Sequence, residues 1–283
     1  MKKQGRKRVL IVALLVAPLV LLALWAFAIE PNRLIIHEDT ITMAQWPAGL
    51  NGLRIAAIAD IHAGSPFIDA DKLRLLVERT NETKPDVIVL LGDYMVRHSW
   101  HSKQMEPEVI AEALNKLQAP LGVYAVLGNH DWWYDRTRVQ AAFERQGIKV
   151  LENDVVRVEK NGLAFWLVGI ADAWSLTDDI PGTAKRVPTG EPAIALTHNP
   201  DILPRFPPAF LLTLAGHTHG GQVYLPFIGR RIVPSEFGQR YAAGYIEEEG
   251  KHLFVTTGVG TSIIPVRFRV PPEIAVLTLV SGK

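Results

Sequence analysis

Asp60-Ile61-His62, Gly92-Asp93, Gly128-Asn129-His130-Asp131, His198 and Gly216-His217-Thr218-His219 are five short clusters of carboxylate, imidazole and amide side chains. Each sits after an apolar run that reads as a buried strand. Together they supply enough hard and borderline ligands to hold two divalent ions side by side. Paired ions about 3.5–4 Å apart serve in-line attack on phosphate esters. Singly, the clusters carry little: Asp-x-His, or Gly-Asp after a strand, is commonly structural. Gly-Asn-His-Asp says more, because an apolar strand seldom ends in four such residues without a task. His-x-His after a strand is a frequent metal motif. All five, in order and at strand ends, make a single site the expected reading.

The elements that must position these residues follow from the apolar pattern. Runs at 53–59, 87–91 and 121–127 alternate with helical spacing at 69–82, at 106–117 and from about 135 to Gly147. Leu73, Leu76, Val77 and Thr80 share one face of the first helix, with Asp69 as its cap; Val109, Ile110, Ala113, Leu114 and Leu117 share a face of the second. Beyond 150 the chain turns strand-rich, with strands expected at 155–159, 163–170, 193–197, 211–215, 221–225, 244–248, 252–256 and 273–280. Alternating βα units followed by a strand-rich half predict an α/β domain of two packed sheets with helices outside. Open α/β sheets place ligands beyond the carboxyl ends of their strands, where every polar cluster falls. Asp60 and His62 are two apart, as are His217 and His219, and extended backbone would point each pair to one side. Glycines at 92, 128, 216, 220 and 221 permit tight turns and close backbone approach.

Composition narrows the classes. The 283 residues contain no cysteine, which excludes disulfides and thiolate metal sites. The net charge is +1, but Lys2, Lys3, Arg6, Lys7 and Arg8 precede residue 9, so the remainder carries a net −4. That remainder lacks the basic footprint of a nucleic-acid binder, so no nucleic acid is expected as a partner. Residues 9–29 are uncharged and apolar. At ~1.5 Å per residue they reach about 30 Å, the thickness of a bilayer's hydrocarbon core. The expected organisation is a basic cytoplasmic tail at 1–8, an uncleaved transmembrane signal anchor at 9–29, a linker at 30–50 with a strand near 34–36, and a globular domain at 51–283. The cation cluster stays cytoplasmic and leaves the domain on the opposite face.

The set Asp-x-His, Gly-Asp, Gly-Asn-His-Asp, His and Gly-His-x-His resembles the calcineurin-like metallophosphoesterase superfamily at every motif. The tail from Gly258-Val259-Gly260-Thr261-Ser262 through Pro265 and Arg267-Phe268 to Pro271-Pro272-Glu273 resembles its bacterial membrane-associated phosphodiesterase branch. The resemblance implies a four-layer αββα sandwich and two divalent ions. By position, Asp60, His62 and His219 would bind the first ion, Asn129, His198 and His217 the second, and Asp93 would bridge them. It also implies that His130, oriented by Asp131, stabilises the transition state or protonates the leaving oxygen. Mixed imidazole, carboxylate and amide donors suit Mn, Fe or Zn more than Ca or Mg.

His98, His101, Trp132 and Arg230 are further candidates for touching substrate, and Trp133, Asp172 and Trp174 have similar standing. Tryptophans in these loops and the apolar N-terminus point to a phospholipid or envelope glycoconjugate phosphate ester, cleaved by a single-pass protein of the bacterial inner membrane with its catalytic domain extracytoplasmic. Some relatives cleave a UDP-diacylglucosamine lipid precursor, an alternative that conflicts with this orientation. A non-catalytic, metal-stabilised membrane binding protein is the rival from another class.

Overall fold

The computed structural model describes residues 14–96 and 102–282. The basic segment 1–8 and the start of the apolar stretch lie outside those residues, as do His98 and His101. The first described element is helix α1 (Leu14–Asn32), long and apolar enough to cross a membrane by length and composition. Its last turns loosen into a π-helical stretch at Trp25–Ile29 and a 3-10 turn at Glu30–Asn32. The large apolar side chains from Leu14 to Leu24 are exposed, whereas Ala26, Glu30 and Pro31 are buried against the domain.

Two six-stranded sheets follow. The first contains β1 (Ile35–Met43), β2 (Leu53–Ile58), β3 (Val87–Leu91), β4 (Val123–Val126), β5 (Lys149–Val150) and β12 (Glu273–Ser281), in spatial order β1-β12-β2-β3-β4-β5. Strands β2 to β5 are parallel, and β12 runs antiparallel to β2. The second contains β6 (Asp154–Lys160), β7 (Leu163–Gly169), β8 (Ala193–Leu196), β9 (Phe210–Ala215), β10 (Gly244–Glu248) and β11 (Lys251–Val255), ordered β10-β11-β9-β8-β7-β6. Its centre, β7 to β9 and β11, is parallel, with antiparallel hairpin strands at both edges.

Strands β2 and β3 are apolar on both faces because both faces are covered. Ile55, Ala57, Val87, Val89 and Leu91 enter a core shared with Phe165, Leu167, Ile194, Leu196, Leu212 and Leu214 of the second sheet. The alternate residues Ala56, Ile58, Ile88 and Leu90 face the helices α2 (Ala70–Glu82), α3 (Pro107–Leu114) and α4 (Asn129–Arg145). On the outer face of the second sheet, Val168, Ala193, Ala195 and Val255 pack under the short helix α5 (Ile180–Ala184) and 3-10 turns at Pro200–Arg205 and Gly238–Tyr241. The fold is therefore the four-layer αββα sandwich.

The first helix matches its pattern. Leu73, Leu76, Val77 and Thr80 are buried, and Asp69 Oδ1 accepts the Lys72 N–H at 2.8 Å. Several other expectations shift. Val109 is exposed, and Ala111 takes a place on the buried face of α3. Helix α4 begins at Asn129 and carries a non-helical residue at Asp135, the point where the apolar spacing first suggests a helix. The stretch 221–225 leaves a 3-10 turn (His219–Gly221) and makes two isolated bridges, Val223 with Phe268 and Leu225 with Gly229, instead of a strand. Within the expected linker, residues 35–43 form β1, which pairs along all nine positions with β12.

Candidate metal centre

Strands β2, β3 and β9 end just before ligand clusters, and the chain leaves each of them through left-handed backbone. Asp60 (φ 53), His62 (φ 45), Asp93 (φ 58), His217 (φ 71) and His219 (φ 51) all occupy the region that L-residues disfavour. The extended i, i+2 geometry expected to aim 60 with 62 and 217 with 219 is thus not what aims them. Turning each residue separately brings the side chains inward, at roughly 1–2 kcal/mol per non-glycine residue. Such strain persists only where surroundings over-determine it.

Those surroundings are specific. Asp60 N–H donates to the Gly92 carbonyl at 2.9 Å and His62 N–H to the Asp93 carbonyl at 3.0 Å, stitching the two loops together. Both Asp60 carboxylate oxygens accept from the His217 N–H, at 3.1 and 3.0 Å. The Asp93 Oδ1 accepts the His130 N–H at 2.9 Å, in the first turn of α4, where the helix dipole favours negative charge. Gly128 makes this approach possible: a Cβ there would lie 2.2 Å from Asp93 Oδ1.

Asp131 is completely buried, and its carboxylate accepts four main-chain N–H groups: Asp93 (2.8 Å), Tyr94 (2.9 Å), Met95 (3.0 Å) and Gly128 (2.9 Å). Its expected task was to orient the His130 ring. Its hydrogen bonds also make it a brace for the loop that carries Asp93.

Two of the clustered histidines, His62 and His198, are fixed through Nδ1. His62 Nδ1–H donates to the Met95 carbonyl at 2.9 Å, and His198 Nδ1–H to the Leu91 carbonyl at 2.8 Å, leaving both Nε2 atoms facing inward. His198 Nε2 lies 3.2 Å and His62 Nε2 3.6 Å from Asp93 Oδ2. His219 Nε2 sits 3.1 Å from His62 Nε2 and 3.5 Å from Asp60 Oδ1, while His217 Nδ1 is 3.1 Å from His198 Nε2. Ligand atoms of Asp60, His62 and His219 therefore form one tight group and those of Asp93, His198 and His217 another; Asp93 also groups with His62 and His130. Burial drives His62 down to about 4 and His217 to about 3, and pushes His219 well below its ordinary value, so these rings are neutral. Burial would raise Asp93, but His198 and His130 beside it bring it well below the usual carboxylate range.

This donor set fits two divalent cations. Asn129 Oδ1 and His217 Nε2 are buried without a hydrogen-bond partner among the described residues, in a cluster rich in lone pairs. A buried acceptor left in that state costs about 1–3 kcal/mol. Cations between the clusters would satisfy it.

Above the cluster opens a cavity of about 550 Å³ lined by His62, Asp93, Asn129, His130, His217 and His219 together with an apolar rim. Ring contacts run from His130 to Trp133 (5.1 Å), Trp133 to Trp174 (6.2 Å) and Trp174 to His217 (4.5 Å), forming an aromatic arch over the metal ligands. Trp132, by contrast, packs into the helical core, donates Nε1–H to Glu152 at 3.2 Å and lies under the Arg136 guanidinium, away from the cavity. Arg230 also lies off the cavity lining; its Nε–H donates to the Gly220 carbonyl at 2.8 Å and its guanidinium stacks over Tyr224.

Two contributions were not among the expected site residues. Ile263 and Ile264 wall the cavity, though nothing in their spacing marks them. Arg267 is fully buried and donates to the carbonyls of Thr257, Gly258, Gly260 and Val270. That clamp holds the loop whose Gly260 N–H donates to the Asp60 carbonyl at 2.7 Å.

Residues 53–228 match the family described as calcineurin-like phosphoesterase. The chain belongs to that family, and is a metal-dependent phosphoric ester hydrolase. It is similar to the uncharacterized metallophosphoesterase YkuE of Bacillus subtilis, with 31% identity over 91% of this chain and 89% of the relative. Similarity also extends to the phosphodiesterase YaeI of Escherichia coli (32%, covering 80% and 82%) and to a transmembrane protein with metallophosphoesterase domain of Danio rerio (31%, covering 89% and 58%).

Proposed function

We propose that this chain is a membrane-anchored, two-metal phosphodiesterase of a bacterial inner membrane, with its catalytic domain on the extracytoplasmic side and a lipid-linked phosphate ester as substrate. The observation that carries the catalytic part is the convergence of two ligand groups about Asp93 at the floor of one cavity. Asp60, His62 and His219 would hold one ion, Asn129, His198 and His217 the other, with Asp93 shared; the donor types suit Mn, Fe or Zn. When bound, such ions acidify water and neutralise charge on a phosphoryl group.

The chain's own residues supply the rest. His130 stands at the edge of the cluster, its Nε2 4.0 Å from Asp93 Oδ2 and its side chain only partly buried, where it meets the leaving oxygen. In this reading Nε2–H passes its proton to that oxygen. Asp131 holds the Asp93 loop in register. Trp133 and Trp174 exclude water from one side of the cavity and pack against the apolar part of an amphiphile. The named activity of the Escherichia coli relative supports a diester, and the named topology of the Danio rerio relative supports the anchor.

Turnover of bis(p-nitrophenyl) phosphate by the metal-loaded full chain tests the catalytic reading, and its absence would sink it. Protease treatment of intact spheroplasts tests orientation: the domain is expected to be digested from outside, and protection would refute the topology.

A further inference from the structure

We propose that the loops at the cavity mouth, 225–232 and 261–265, sit in the headgroup–acyl boundary of the bilayer that α1 enters, so that the cavity opens directly onto the lipid surface. This inference rests on the reading of α1 as a membrane anchor.

The first ground is what those loops display. Leu225 and Gly229 exchange main-chain hydrogen bonds at 3.0 and 2.8 Å, closing a tight turn with Phe227 at its apex. Phe227 is completely exposed and Ile263 is 89% exposed, with φ of 67° and 61°. A bulky or β-branched residue at positive φ is a real outlier, and here the strained backbone holds apolar side chains outward. Ile228, Ile232 and Ile264 are exposed beside them. The two loops form one surface: Gln222 accepts from Ser262 N–H at 2.6 Å and donates to the Ile264 carbonyl at 3.1 Å, and Tyr224 N–H donates to the Phe268 carbonyl at 2.9 Å.

The second ground is where α1 meets that surface. Arg267 N–H donates to the Ala26 carbonyl at 3.0 Å. Pro265 lines the cavity. It stands two positions before Arg267, so the cavity wall lies within about 7 Å of this contact. If residues 9–29 span the hydrocarbon, Ala26 lies about 5 Å inside its outer edge. A domain that touches the helix at Ala26 is seated on the membrane, with Ile263 and Ile264 beside the entry point. The arginines among these side chains agree with this placement. Arg230 and Arg269 stack on Tyr224, and Arg231 is exposed, an apolar-and-cationic mixture that suits anionic headgroups. A water-soluble protein partner would explain the apolar tips but not their continuity with the helix.

The absence of cysteine allows a clean test. Single variants Phe227→Cys, Ile263→Cys, Glu159→Cys and Leu19→Cys of the full chain are labelled with bimane in phosphatidylglycerol nanodiscs. Quenching is then compared between lipid-borne doxyl groups and aqueous iodide. The expected result is lipid quenching and iodide protection at 227 and 263, lipid quenching at 19, and iodide quenching alone at 159. Labels at 227 and 263 that behave like 159 while 19 is lipid-quenched overturn the docking and leave the anchor standing. Protection from both quenchers at 227 and 263 also overturns it, in favour of a protein cover. A label at 19 that lipid does not quench overturns the anchor and the docking together.

Discussion

Replacing Arg267 should cost more than replacing any other single cation in the chain. Its guanidinium is fully buried and donates to four carbonyls: Gly260 and Val270 from Nε and Nη1, and Thr257, Gly258 and again Gly260 from Nη2. Burial lowers its pKa, but only to about 10, and nearby Asp60, Glu273 and Glu30 favour the charged form, so it stays protonated at neutral pH. Arg267→Met removes every donor and fills most of the volume. Buried acceptors without partners cost about 1–3 kcal/mol each. Allowing for relaxation and water entry at some of the four, the net loss is about 4 kcal/mol. At roughly 2–4 °C per kcal/mol for a domain of this size, the midpoint should fall by about 8–16 °C. Arg267→Lys keeps the charge and some donors, and should lose about half as much. Thermal unfolding of the full chain in nanodiscs, followed by tryptophan fluorescence, measures this. Because Arg267 braces the loop that supports Asp60, metal affinity should drop in both variants. A Met variant that melts with the wild type would refute the clamp and the energy argument behind it.

Three further outcomes follow from the same geometry. His130→Ala should keep both ions by elemental analysis while losing about 10²–10⁴ in turnover, the usual worth of a positioned acid; metal loss would move His130 into the ligand shell. Asp131→Asn turns one acceptor oxygen into a donor opposite two of the four N–H groups, predicting a loss of about 2–5 kcal/mol in denaturant unfolding and weaker metal binding. An unchanged midpoint would show that Asp131 is no brace. The His37–Glu273 pair (3.0 Å) joins β1 to β12, and its hydrogen bond raises the His37 pKa above the ordinary 6.5 despite partial burial. That contribution is complete below pH 6.5 and disappears as pH rises through the folded value. Melting of the wild type should therefore fall relative to His37→Gln as pH rises above 6.5; parallel curves would exclude the pair as a source of stability.

Much of the site could be read before the fold because its residues are chemically rare at strand ends. Asp60, His62, Asp93, Asn129, His198, His217 and His219 all stand next to runs whose apolarity identifies the strands. Asp69 announced α2 by the same local logic of capping. What escaped depends on long-range context. The inward aim of the ligands comes from left-handed backbone held by contacts between loops, which no spacing rule encodes. Strand β1 was expected only near 34–36, because it is half-buried for most of its length and His37-Glu38-Asp39 breaks its apolar pattern. The start of α4 was hidden because its first turn serves the metal cluster rather than the core, and Asp135 then interrupts the helix. Residues 221–225 alternate like a strand, yet Gln222 takes φ 57, which turns the chain toward Phe268. Arg267 stands in the tail that carries the resemblance, but only its burial shows its task.

The central claim is that two ions held about Asp93 make this chain a phosphodiesterase. The most direct measurement strips the full chain of metal, adds Mn back in steps, and follows bound metal per chain alongside bis(p-nitrophenyl) phosphate turnover on the same samples. Turnover is expected to rise only as bound metal approaches two ions per chain, with Asp93→Asn failing on both readouts. Full loading without turnover, or undiminished turnover by the stripped protein, would contradict the account.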